Sequence, residues 1–302
     1  MPHVKRDAPP SEPPWRFIIT RAGVPWGTKP RYTNFMPVLW LRVAVACYGV
    51  GLLYALVGLT RSNELLNRIV LHAAYLGMVF HLVSLAEEVL LTGKVTLASI
   101  HNTESALAFL IMIVFAAVFL VYRTTSPGIV VFPVVFLLAL LASTRARPFL
   151  LASETVHRGW LLTHIALILA GYAALVLSFG ASLLYLLQEH SLKAKNPRGI
   201  LSRLPALEII DQIGFRSLLL GFPFMTLGLI AGTALAKTTF GRVNVFDPKI
   251  FLSLLMWAVY LILLYTRWNA GWRGRRAAYL ASGAFAAAVL AWTANTIHRF
   301  VS

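Results

Sequence analysis

Eight stretches of this chain are apolar almost without interruption, and each is near the length a helix needs to cross a bilayer. They cover residues 37–60, 67–91, 105–122, 128–145, 159–188, 216–236, 249–267 and 277–298. A helix rises about 1.5 Å per residue, so roughly 20 apolar residues span the hydrocarbon. Within lipid the backbone must satisfy its own hydrogen bonds, which leaves helices and closed barrels. Barrel strands alternate in short runs, and these blocks do not. The expected fold is therefore all-α: a polytopic integral membrane helix bundle of about eight transmembrane helices. The fourth block, around Pro133, carries the weakest signal.

Composition agrees. Of 302 residues, 58% are hydrophobic and 13% charged, about half the charged share of soluble domains. The net charge of +16 would suggest nucleic acid in a soluble protein. Here the basic residues sit mostly in short loops between apolar blocks, where they set topology and meet anionic lipid. No nucleic-acid partner is expected. The single cysteine, Cys47, lies in the first block, which excludes an internal disulfide and a Cys-x-x-Cys redox pair.

Residues 1–36 form a basic arm with Pro9, Pro10, Pro13 and Pro14, and without the apolar core of a signal peptide. Trp15 and Trp26 would anchor it at the membrane surface. Residues 37–302 form one membrane domain. Loops 5 and 7, counted between successive blocks, are the most basic, with Lys193, Lys195, Arg198, Arg203 and Arg216, then Arg267, Arg273, Arg275 and Arg276. The positive-inside rule puts them in the cytoplasm and both chain ends outside. The six Lys and Arg of the arm argue the other way. Gly228 and Gly232 form a Gly-x-x-x-Gly pair in the sixth block, and the eighth is alanine-rich. Both read as close helix packing with no chemistry attached.

Ionisable groups in lipid are costly and often functional. Five of the eight histidines lie in or beside a block: His72, His81, His157, His164 and His298. No His-Glu-x-x-His, carboxylate pair, phosphate loop or Ser/His/Asp set accompanies them. Imidazoles with aromatics suit a haem better than hydrolysis. His164 lies near the start of the fifth block and His298 at the end of the eighth. Four crossings separate those ends, so both face one side, and loop 6 opens on that side too. Two imidazoles can flank a ligand lying over loop 6; the alternative for each is an interfacial histidine bonded to backbone. His72 and His81 are nine residues apart, about 180° around a helix, so at most one serves a given site.

Several fragments resemble the cytochrome c assembly family of haem-handling membrane proteins, including its HemX-like branch. They are Gly159-Trp160-Leu-Leu-Thr-His164 with Gly171-Tyr172; Leu204-Pro205-Ala-Leu-Glu208-Ile-Ile-Asp211 leading to Gly221-Phe222-Pro223 and Thr226-Leu-Gly228; Phe240-Gly241 and Asp247-Pro248-Lys249; and Trp257, Tyr265-Thr266-Arg267 and Gly271-Trp272-Arg273-Gly274. A fainter match runs from Thr96-Leu97 to Glu104-Ser105. The resemblance begins near residue 65 and is strongest over 155–300. It implies an outward-facing axial histidine pair at His164 and His298 as haem iron ligands. It also implies a haem platform over 235–252 that includes Phe240, Phe246 and Asp247, and a second-helix histidine at His81. Trp257 and Tyr265 join the cofactor-binding candidates.

The chain departs from the family pattern where Leu235, Phe240, Asn244, Phe246 and Leu252 replace platform tryptophans. Phe240 and Phe246 keep aromatic faces that stack on a porphyrin. Ile250 replaces an expected glutamate, and Tyr265 replaces a histidine. What the resemblance implies is a carrier of haem b in a bacterial cytoplasmic membrane. It would hold haem at the outer face for attachment to apocytochrome c, with other assembly proteins as partners, rather than act as an autonomous enzyme. The rival readings are a HemX-like accessory or regulator of haem synthesis and a small-molecule transporter. The lack of an inverted repeat counts against a transporter.

Overall fold

Each apolar block becomes one helix. The computed structural model describes residues 35–60, 64–92, 100–144, 158–193, 204–241, 246–269 and 271–301. Some helical side chains, among them Phe240 and residues 291–301, lie outside that description. The helices are α1 (Phe35–Thr60), α2 (Glu64–Thr92), α3 (Ile100–Tyr122), α4 (Gly128–Thr144), α5 (Arg158–Lys193), α6 (Leu207–Phe240), α7 (Pro248–Trp268) and α8 (Arg275–Val301). Among the described residues every regular element is an α-helix.

Six helices, α1 to α3 and α5 to α7, are long and apolar enough to span a membrane, so the protein is an integral, multi-pass membrane protein. The block around Pro133, the weakest in sequence, gives the shorter apolar helix α4 of 17 residues. Helix α8 is outside the six. Large apolar side chains point outward along the spans, among them Leu53, Leu120 and Ile230. A continuous skin of this kind is tolerable only against lipid.

Helices α5 and α6 outrun their apolar blocks, because a helix closes its own hydrogen bonds wherever the chain goes next. At its end α5 carries the exposed pair Glu189–Lys193 at 2.7 Å, one turn apart. At its start α6 extends back to Leu207. Arg216, expected in loop 5, therefore lies inside α6, with its guanidinium over the Tyr122 ring at 5.6 Å.

Two packed cores share helix α5. One fills the space between α1, α2, α3, α4, α5 and the start of α6, with Tyr48, Phe115, Phe132 and Leu177 among its buried members. The other joins α5 to α8 around Leu175, Met225, Met256 and Tyr260. The α5–α6 pairing is the most extensive in the molecule, and small residues make it close. Gly214, Gly221 and Gly228 recur every seven residues along α6, the spacing that keeps one face on a neighbouring helix. A Cβ at Gly221 would lie 2.9 Å from the Ala174 Cβ, and one at Gly228 2.7 Å from the Ile168 side chain. Helix α8 packs through its alanines, with Ala277, Ala278, Ala281 and Ala284 buried.

Candidate functional site

At the end of the bundle where α5 starts and α6 finishes, His164 lies in the groove between them. Its Nδ1 donates to the backbone carbonyl of Gly228 at 2.7 Å. A carbonyl only accepts, so Nδ1 carries the ring proton and Nε2 carries the lone pair. A Cβ at Gly232 would stand 2.6 Å from the His164 Cε1 and 2.8 Å from Nδ1. The Gly-x-x-x-Gly pair, read from sequence as packing alone, thus receives the candidate ligand. The backbone-bonded alternative for His164 is present too, but it occupies one ring nitrogen and leaves the other.

The remaining candidates distribute along the fold. Asp247 immediately precedes α7 at the same end, and its carbonyl accepts from the Phe251 N–H at 2.9 Å. Phe246 beside it is 89% exposed, an aromatic face set at the bundle end. His298 lies in the last turns of α8, and α8 packs on both α5 and α7. The side chains of His298 and Phe240 lie outside the described residues, as do Asn244 and His157. Trp257 sits deeper, its indole N–H donating to the Thr226 hydroxyl at 3.0 Å and its ring stacked on Phe222. It ties α7 to α6. Tyr265 is near the far end of α7 and 61% exposed, turned outward instead of packed inside.

His81 belongs to the other half of the molecule. It is wholly enclosed between α1, α2 and α3. Nε2 is 2.9 Å from the Ser105 hydroxyl, Nδ1 is 3.3 Å from the Tyr48 hydroxyl, and the Phe109 ring meets its edge. Coordination by His81 would require one of those bonds to be given up. His72, as its opposite helical face requires, is exposed and bonds the Arg68 carbonyl one turn back. Among the described residues no three His, Cys, Asp or Glu gather as a metal cluster. A pair of imidazoles on a porphyrin needs no such cluster.

At the opposite end lies a feature that the sequence assigned no role. Arg267 from the end of α7 bonds Asp211 near the start of α6 at 2.6 Å. The Gly274 N–H donates to the other carboxylate oxygen at 3.3 Å. Gly274 has φ +67, and a Cβ there would meet the Tyr185 hydroxyl, so glycine suits the position on both counts. These groups, with Phe215 and Arg273, border a cleft of about 480 Å³. Parity offered a signal: Asp211 near the start of one helix and Arg267 at the end of the next share a side.

Comparison with known proteins identifies the family. The model of the family described as "Cytochrome C assembly protein" matches residues 43–294. The chain belongs to the cytochrome c assembly family. It is 28% identical over 218 residues to "Cytochrome c biogenesis protein CcsA" of Guillardia theta, covering 64% of this chain and 70% of that one. It is 30% identical over 131 residues to the CcsA of Chlamydomonas reinhardtii, covering 43% of this chain and 36% of that one. It is 33% identical over 143 residues to "Protein HemX" of Brevibacillus brevis, covering 47% and 52%. The chain thus spans about a third to a little over two thirds of the length of these relatives. Family membership covers both halves of the bundle, including α1, where the sequence resemblance had not reached.

Proposed function

We propose that this protein acts in cytochrome c biogenesis, in a bacterial cytoplasmic membrane, by binding haem b at its outer face and presenting it for attachment to apocytochrome c. The observation that carries the reading is His164: a half-buried imidazole between α5 and α6, with one nitrogen tied to backbone and the other keeping its lone pair. Metal-binding histidines are commonly held this way, the second nitrogen bonded to a carbonyl or carboxylate. His298, at the end of α8, is the partner ligand in this reading. Histidine imidazole is an established ligand of haem iron.

Haem supplies the porphyrin to which the thioether bonds of a c-type cytochrome are made. The chain's part is to bind and orient. His164 and His298 would ligate the iron, Phe246 and Phe240 would offer aromatic faces for the ring, and Asp247 would cap that end at the start of α7. Cys47 is in the α1 span, so the thiols for ligation come from the apocytochrome and its partner proteins.

A HemX-like accessory role is the second reading. The substitution of platform tryptophans and the match to the Brevibacillus brevis protein favour it. The deciding experiment is an absorption spectrum of the purified protein in mild detergent, oxidised and reduced. A Soret band with sharp reduced α and β bands, lost in His164→Ala and in His298→Ala and restored by imidazole, supports haem binding. A colourless protein that also fails to take up added haemin removes the haem-carrier reading and leaves the accessory one.

A further inference from the structure

Gly228 and Gly232 do more than bring two helices together. A close contact between helix backbones needs only that side chains be small, yet the group that fills the space over Gly232 is an imidazole. Its Nδ1–Cε1 edge faces the glycine, at 2.8 and 2.6 Å from where a Cβ would stand, while Nε2 is farther, at 3.4 Å. One turn earlier in α6, the Gly228 carbonyl lies 2.7 Å from Nδ1. The two glycines therefore act on the same edge of the ring. The absent Cβ at 232 admits it, and the carbonyl at 228 holds it.

The geometry points to Gly232 as a positioning residue that, with the Gly228 carbonyl, fixes His164 as its Nδ1–H tautomer and presents Nε2 as the coordinating atom. Without the bond to Gly228, neutral imidazole in water is free to carry its proton on either nitrogen and to turn about its side-chain torsions. With the bond, the proton is on the nitrogen facing α6, and the ring plane is set by a helix that also meets α5 at Ile168, Ala174 and Ala181. Hydrogen-bond donation to a carbonyl also makes the opposite nitrogen a stronger donor toward iron. A methyl group at 232 would overlap two ring atoms. The ring end can move more easily than the backbone, so it would rotate and forfeit the bond. The identity of the ligand rests on the function proposed above; the seat itself does not.

The test uses the full-length protein in detergent or bilayers, with nitrogen-15 histidine and the His164 resonances assigned by their loss in His164→Gln. In the haem-free wild type at a pH where the ring is neutral, His164 is expected to show a protonated Nδ1 and an unprotonated Nε2. Gly232→Ala is expected to lose that pattern for a mixture of tautomers. Gly214→Ala, on the same face of α6 with ordinary contact to the Ala181 Cβ at 3.4 Å, is expected to keep it. Together these separate the seat from general helix packing. A wild-type ring protonated at Nε2, or a Gly232→Ala ring unchanged from wild type, overturns the inference. In haem-loaded protein, Gly232→Ala should raise the midpoint potential, because a less basic imidazole stabilises ferric iron less. An unmoved potential in a variant whose tautomer has changed would overturn the coordination half of the inference. A wild type that binds no haem would sink the function proposed above and leave the tautomer result standing or falling alone.

Discussion

Asp211 and Arg267, 56 residues apart in the chain, meet at 2.6 Å where α6 begins and α7 ends. Both side chains are largely shielded, at 16% and 9% exposure, and Arg267 also lies over the Phe215 ring at 4.8 Å. One carboxylate therefore joins three helices, since its second oxygen takes the N–H that precedes α8. Removing either partner leaves a shielded charge without its ion-pair partner. Asp211→Ala should lower stability by about 3 kcal/mol, read as a fall in the thermal unfolding temperature in detergent. The Asp211→Ala, Arg267→Ala double variant should lose clearly less than the sum of the singles. Additive losses would show that the two charges do not support each other.

His81 tests whether the enclosed histidine of the first half is there for packing. Both of its nitrogens have hydroxyl partners and none of it reaches the surface. His81→Ala should therefore cost about 2–4 kcal/mol through the cavity and the orphaned hydroxyls. Thermal unfolding checks this. A variant of unchanged stability that has lost chromophore would assign His81 to the haem instead.

The glycine ladder of α6 makes a steric prediction at Gly221, where the Ala174 Cβ and the Gly171 carbonyl stand 2.9 and 3.3 Å from the point a Cβ would occupy. Gly221→Val should destabilise by about 1–3 kcal/mol. Gly283, with nothing within 4 Å, should accept alanine on α8 without loss. Equal unfolding temperatures for the two variants would contradict the close α5–α6 approach.

Tyr265 faces outward near the end of α7, at 61% exposure. Tyr265→Phe removes only a hydroxyl from a lipid- or interface-facing ring. The change should be within about 0.5 kcal/mol in stability and leave the visible spectrum of haem-loaded protein untouched. A shifted ferric spectrum would instead make the phenol an iron ligand.

What could be read without the fold, and what could not, divides cleanly at certain residues. The eight helices were legible because hydrocarbon offers the backbone no hydrogen bonds, so apolar length alone dictates a helix. Even the weak point at Pro133 was visible, and α4 is indeed the short one. Parity put His164 and the start of α7 at one end, because each crossing reverses the side. The placement of Arg216 in a loop failed, since α6 begins at Leu207, ahead of its apolar block, and a charged residue at the edge of an apolar block looks like a loop residue in sequence.

The sequence by itself determined an all-helical, multi-pass membrane protein. It could not determine which side chains touch. Lipid is as apolar as leucine, so the apolar blocks carry little record of how each helix is rotated or which neighbour it meets. Only the tertiary structure set His164 against Gly228 and Gly232, joined Asp211 to Arg267, and closed Tyr48 and Ser105 around His81. Each of those contacts depends on the register between two helices at the level of a single turn, and register is settled by packing.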